Sequence, residues 1–305
     1  MSESTGTVDF TVGSETFQTW YKVIGDINCG VRPLVILHGG PGFPHIYVRC
    51  HTRLWESRGI PVVLYDQLGC GGSTRLRDKP KEFWTFELLI AELENLVTKL
   101  GIQDNFDVLG HSWGGALAAS YVLARQPTGL KRLVLANTYA SIHLWETGQC
   151  RELIEMLPGD VKETIERCER EGTTDSKEYK DAELVFLKKH AITLDPLPKD
   201  MQITIAELEK DNTVYLAIHG PSEFYCTGNQ KNFDIVDRLH DIQQSTLVIN
   251  GANDQATDMC VAPLFWRIPN SAKWVQFSQA THQPFFEEPE RYCELVGEFL
   301  TMQPL

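Results

Sequence analysis

At 305 residues, of which 42% are hydrophobic, the chain can bury a sizeable core as one large domain or two modest ones. Its formal net charge of −13, from 28 Lys and Arg against 41 Asp and Glu, gives it a field that repels phosphate backbones and anionic lipid. Nucleic acid and membrane surfaces are therefore excluded as partners, and a small molecule or short peptide is expected instead.

Met1 to Thr7 has neither a basic leader nor an apolar core of signal-peptide length, and no later apolar run approaches a membrane span, so a cytoplasmic protein is expected. The cysteines at 29, 50, 70, 150, 168, 226, 260 and 293 contain no Cys-x-x-Cys pair, which argues against a zinc site and a disulfide framework. They read as reduced thiols that fill core space. Cys70 and Cys226 fall in stretches expected at the mouth of the active site, where one of them could be an exposed reactive thiol.

Phe10 to Val12 and Phe17 to Val23 alternate around Gly13-Ser14 and predict an opening hairpin. The runs 33–37 and 61–65 are short, continuously apolar and followed by glycine-rich turns, the signature of buried parallel strands. Residues 86–100 place Leu88, Leu89, Leu93, Leu96 and Val97 on one helical face, with Gly101 closing the helix. A strand at 106–110, a small-residue helix at 116–125 and a strand at 130–136 follow. This βαβα winding predicts an α/β protein with a mostly parallel sheet.

From 139 to 239 the pattern becomes charged and amphipathic with no clear buried strand, and predicts an inserted helical cap. Strand logic resumes at 246–249 and 273–277, before a closing helix at about 289–300. The expected organisation is a core of residues 1–138 and 240–305 interrupted by a cap of residues 139–239.

The chemistry centres on Gly110-His111-Ser112-Trp113-Gly114, a Gly-x-Ser-x-Gly stretch between a strand and a helix, in which Ser112 is exposed on a sharp nucleophile elbow. A serine hydroxyl needs a histidine to take its proton, and that histidine needs an acid to fix its tautomer. In this winding the two partners follow the serine on later strand ends, acid first. Asp254 lies just past the strand at 246–249, and Asp258 nearby sits deeper in the next helix. His282 follows the last strand, while the other eight histidines fall in glycine-rich motifs, in the insertion or before the elbow. Ser112, Asp254 and His282 are therefore the candidate triad. His38-Gly39-Gly40-Pro41-Gly42 supplies a tight turn after an early strand, so Gly40 and Trp113 are the candidate backbone donors of an oxyanion hole. Gly39 is adjacent and joins the candidate substrate-binding set. No metal or organic cofactor is implied, because the triad supplies nucleophile, base and electrostatic stabilisation itself.

Together with Asp66-Gln67-Leu68-Gly69-Cys70-Gly71-Gly72-Ser73 and Gly220-Pro221-Ser222-Glu223-Phe224, these motifs resemble the proline iminopeptidases of the α/β-hydrolase fold, over about residues 15 to 300. The resemblance implies removal of an N-terminal residue, often proline, with glutamates that bind the free amine. Glu223 matches the first of these. The second, after the triad aspartate, is Gln255 here, and a neutral amide halves the charge offered to an ammonium. Leu68, His219 and Leu197 also depart from residues common in the family, so a retuned pocket is expected. Three readings follow: a serine hydrolase cleaving a small amide through an acyl-enzyme, an esterase or lactonase with the same triad, and a non-catalytic hydrolase-fold binding protein.

Overall fold

The computed structural model describes residues 3–302; Met1, Ser2 and residues 303–305, the ends of the expected core segments, lie outside the described residues. The opening hairpin is longer than its apolar alternation suggested: β1 (Glu3–Val12) pairs antiparallel with β2 (Glu15–Ile24) along its whole length, and buried Phe10 faces buried Phe17. Then come β3 (Leu34–Leu37), α1 (Arg53–Arg58), β4 (Val62–Tyr65), α2 (Phe86–Lys99), β5 (Phe106–His111), α3 (Trp113–Arg125) and β6 (Leu130–Ala136). Every residue of β3, β4 and β5 is buried, as continuous apolar strands covered on both faces require.

The eight strands form one sheet in the order β1-β2-β4-β3-β5-β6-β7-β8, with β7 (Ser245–Gly251) and β8 (Ser271–Phe277) at the far side. Only the pairings of β1 with β2 and of β2 with β4 are antiparallel. Alternation along each strand divides the core: Val35, Leu37, Val63 and Val108 face one layer, and Leu34, Ile36, Val62 and Leu109 face the other. Because β3 lies between β4 and β5, the chain winds in opposite directions from it, and the carboxyl ends of β3 and β5 open a crevice where α/β proteins bind ligands.

Between β6 and β7 lie α4 (Ile142–Thr147), α5 (Gly159–Glu171), α6 (Lys177–His190), α7 (Lys199–Lys210) and α8 (Thr213–Ile218). The chain closes with α9 (Asp258–Arg267), α10 (Pro284–Glu287) and α11 (Pro289–Thr301). Helices α5 and α6 share a small core of their own, built from Ile165, Cys168, Tyr179, Ala182 and Phe186 with Phe224. Helix α7 is tied to the sheet layer at both ends: Arg49 pairs with Asp200 at 2.6 Å, and Arg75 and Arg77 reach Glu207 and Asp211 at 3.1 and 3.0 Å. Helix α8 settles directly on the glycine-rich loop. At Gly69, where φ is +89°, a Cβ would lie 2.4 Å from Val214, so any side chain there would lift the helix. No helix among the described residues is long and apolar enough to cross a membrane.

Candidate active site

Ser112 stands between the end of β5 and the start of α3 with φ 55° and ψ −128°, a strained conformation for a residue with a Cβ. Its backbone is fixed on both sides. Ser112 N–H donates to Ala136 O at 2.9 Å, and its carbonyl accepts from Thr138 Oγ1 at 2.6 Å and from Gly115 N at 2.8 Å. The elbow also needs glycine where the helix meets β3, because a Cβ at Gly114 would lie 2.3 Å from Leu37 O. Helix α3 consequently begins at Trp113, three residues earlier than its apolar pattern suggested, and Trp113 carries one of the N–H groups that a helix start leaves without an internal partner.

His282 and Asp254 meet as their strand-end positions require. His282 Nδ1 lies 2.7 Å from Asp254 Oδ1, and both side chains are buried. A carboxylate only accepts, so Nδ1 carries the proton and Nε2 presents its lone pair. Asp254 receives three further donors: Asn137 Nδ2 at 2.5 Å, Ala256 N at 2.8 Å and Gly251 N at 3.3 Å. Asp258, the rival acid, instead accepts from Asn250 and Gln276. No hydrogen bond joins Ser112 Oγ to His282 among the described residues.

In the His38–Gly42 turn the two candidate glycines differ. Gly39 N–H donates to Tyr47 Oη at 2.6 Å, so it is not available to a substrate oxygen; Gly39 instead lies against the elbow, where a Cβ would come 2.9 Å from Ser112 Cβ. Gly40, at φ +110°, has no acceptor for its N–H among the described residues.

Several contributors carried no sequence signal. Asn137, just past the end of β6 at φ 53°, donates to Asp254. Trp145 on α4 places its ring edge-on to His282 at 5.9 Å. With the Gln149 amide oriented to satisfy both its ends, it accepts from Trp145 Nε1 at 2.9 Å and donates to Glu223 O at 3.1 Å, a chain from His282 to the loop that holds Glu223.

Glu223 accepts from Tyr215 Oη at 2.8 Å. Its neighbour Glu183 on α6 is pushed up to about 7 by burial, then by the charges of Glu223 and Glu169. Gln255 is held by its backbone N–H to His190 O at 3.1 Å, and its buried Oε1 has no partner among the described residues. Cys70 and Cys226 are both buried, as thiols that fill core space should be; burial pushes the Cys70 thiol well up and that of Cys226 to about 11, so neither is the exposed reactive thiol that one of them could have been. No three His, Cys, Asp or Glu side chains are grouped to hold a metal among the described residues.

Residues 32–164 match the family model of the alpha/beta hydrolase fold, and relatives that match over nearly the whole chain make it a hydrolytic enzyme. It is 38% identical to a proline iminopeptidase of Heyndrickxia coagulans, over 97% of this chain and 98% of that one. It superposes on a proline iminopeptidase of Mycobacterium smegmatis with a TM-score of 0.88 at 35% identity, over 97% of each chain. The crystal structure of VinJ gives a TM-score of 0.92 at 40% identity, covering 97% of this chain and 98% of that one. The chain belongs to the proline iminopeptidase family.

Proposed function

We propose that this enzyme is a serine aminopeptidase or amidase that releases a small N-terminal residue, proline among the candidates, through an acyl-enzyme on Ser112. The observation that carries the reading is the 2.7 Å pair of His282 and Asp254, delivered by two strand ends to the elbow that holds Ser112 in strained geometry. His282 Nε2 takes the hydroxyl proton as Ser112 Oγ attacks the amide carbon. Asp254 holds the imidazolium that forms, and the N–H groups of Trp113 and Gly40 receive the oxyanion. His282 then protonates the departing amine, and water activated by the same nitrogen hydrolyses the ester.

The helices between β6 and β7 form a cap that selects a substrate with a free ammonium. Glu223 supplies a carboxylate, Gln255 Oε1 a buried acceptor without a partner among the described residues, and Glu183 a negative charge that an ammonium would stabilise. The neutral Gln255 favours a second reading, an ester or lactone substrate without an amine.

A fluorophosphonate should label wild type and not Ser112→Ala; no labelling of either would refute the acyl-enzyme. Turnover of Pro- and Ala-p-nitroanilide against a p-nitrophenyl ester then separates the substrates. Glu223→Gln should raise KM for the anilides by roughly 10- to 100-fold, the loss of one charge-assisted bond, and leave the ester unaffected. Unchanged anilide turnover would remove Glu223 from amine binding.

A further inference from the structure

Tyr47 lies in the helical turn His45–Thr52 after β3 and is 1% exposed. Its hydroxyl stands 2.6 Å from Gly39 N and 3.0 Å from His111 Nδ1, and His111 Nε2 stands 2.8 Å from the carbonyl of His282. These contacts fix every proton in the chain. A carbonyl only accepts, so His111 Nε2 carries its hydrogen. Burial, and then the neighbouring His282, hold His111 well below the usual imidazole range, so the ring is neutral and Nδ1 is an acceptor. Tyr47, whose own ionisation burial suppresses, must therefore donate to Nδ1 and use its lone pair for Gly39 N–H. The chain runs one way, from Gly39 through Tyr47 and His111 to His282. Phe285 covers it, with ring centroids 6.1 Å from Tyr47 and 4.9 Å from His111, and the dry surroundings strengthen each bond.

The residues joined belong to three separate segments: Gly39 to the oxyanion turn, His111 to the end of β5 beside Ser112, and His282 to the loop of the base. We propose that Tyr47 is the positioning residue of this centre, its hydroxyl setting the three segments in register through His111 and, by taking the Gly39 N–H, committing the oxyanion to Gly40. The inference rests on the acyl-enzyme reading above. Acyl transfer depends on that register, since a misplacement of about 1 Å costs on the order of 100-fold in rate. A role confined to stability would lower Tm and the fraction of active molecules and leave each active site's turnover intact.

The test compares Tyr47→Phe, His111→Leu and His111→Gln, all counted by fluorophosphonate titration of active sites and assayed with Ala-p-nitroanilide. Tyr47→Phe and His111→Leu should lose on the order of 100-fold in kcat per titrated site, with KM within about twofold. A peptide boronic acid, which presents the tetrahedral oxyanion, should weaken by the same factor as kcat/KM, whereas a non-covalent substrate-like inhibitor should bind as before. His111→Gln should retain most of the activity, because its amide oxygen accepts from Tyr47 and its NH2 donates to the His282 carbonyl. Unchanged kcat per site in both Tyr47→Phe and His111→Leu would overturn the proposal, as would equal losses in His111→Gln and His111→Leu. Should wild type neither label nor turn over, the acyl-enzyme reading fails on its own. The nitrogen NMR of His111 still decides the chain in that case: a neutral ring protonated at Nε2 supports it, and protonation at Nδ1 refutes it.

Discussion

Asn137 offers the sharpest test of how the acid is held, because Asn137→Asp keeps the shape of the residue and its tolerance of the left-handed backbone while exchanging a donor for a carboxyl. The new oxygen would stand where Nδ2 now lies, 2.5 Å from Asp254 Oδ2. Two carboxylate charges centred about 4 Å apart at an effective dielectric near 20 repel by about 4 kcal/mol, equivalent to about 3 pK units. The pair would therefore share one proton up to about pH 7. Below that pH the substituted carboxyl donates to Asp254 as the amide does, and kcat/KM should stay within a few-fold of wild type. Above it that proton is lost to solvent, and the two facing carboxylates repel each other and push Asp254 out of line with His282 Nδ1. The ratio of variant to wild-type kcat/KM, measured with Ala-p-nitroanilide from pH 6 to 9, should fall by about tenfold per unit above the midpoint, and the substrate's own ionisation cancels in that ratio. Asn137→Ala, which deletes a hydrogen bond to a charged group worth about 1.5 to 3 kcal/mol, should lose roughly 10- to 150-fold at every pH. A flat ratio for Asn137→Asp would show that residue 137 does not govern the acid, and the four-donor account of Asp254 would be wrong.

Other consequences follow from the buried acids and the close packing. Glu92, buried on α2 and bonded to Leu68 N at 2.9 Å and Thr19 Oγ1 at 2.5 Å, is pushed up to about 7 by that burial. Its folded-state pKa lies above its unfolded one, so the folded state holds the extra proton between about pH 4.5 and 7, and stability falls by up to about 3 kcal/mol as pH rises through that window. Glu92→Gln should flatten the dependence of Tm on pH between 5 and 8; an unchanged slope would exclude Glu92 as its source. Glu183 ionises near 7, so KM for an aminoacyl anilide should fall as pH rises through that value, and Glu183→Gln should abolish this part of the profile while sparing a neutral ester. Gly114→Ala must displace Leu37 O, 2.3 Å from the added carbon, and with it the turn that follows β3. Its kcat should drop by more than 100-fold even in the folded fraction, checked by circular dichroism and active-site titration. Wild-type turnover in that variant would show that the elbow and the oxyanion turn are not mechanically coupled.

Local pattern determined much of this protein. Continuous apolar runs of four or five residues, each closed by glycine, announce parallel strands buried on both faces, because only such strands have no solvent side to mark with polar residues. The order of Ser112, Asp254 and His282, each at a strand end, was legible for the same reason, as was the helical character of the insertion. Tertiary structure decided what depends on neighbours far apart in the chain. Asn137 holds Asp254 across 117 residues, and His111 reaches the carbonyl of His282 across 171. Asparagine and histidine have no periodicity that would reveal such bonds in a sequence. Gly39 and Gly40 are adjacent and identical, and the Tyr47 hydroxyl distinguishes them by occupying one N–H and leaving the other. The burial that keeps the thiols of Cys70 and Cys226 from reacting is likewise a property that the fold around them confers. Sequence fixes which groups can react, whereas the packing of distant segments sets which lone pair, proton or charge each of them presents.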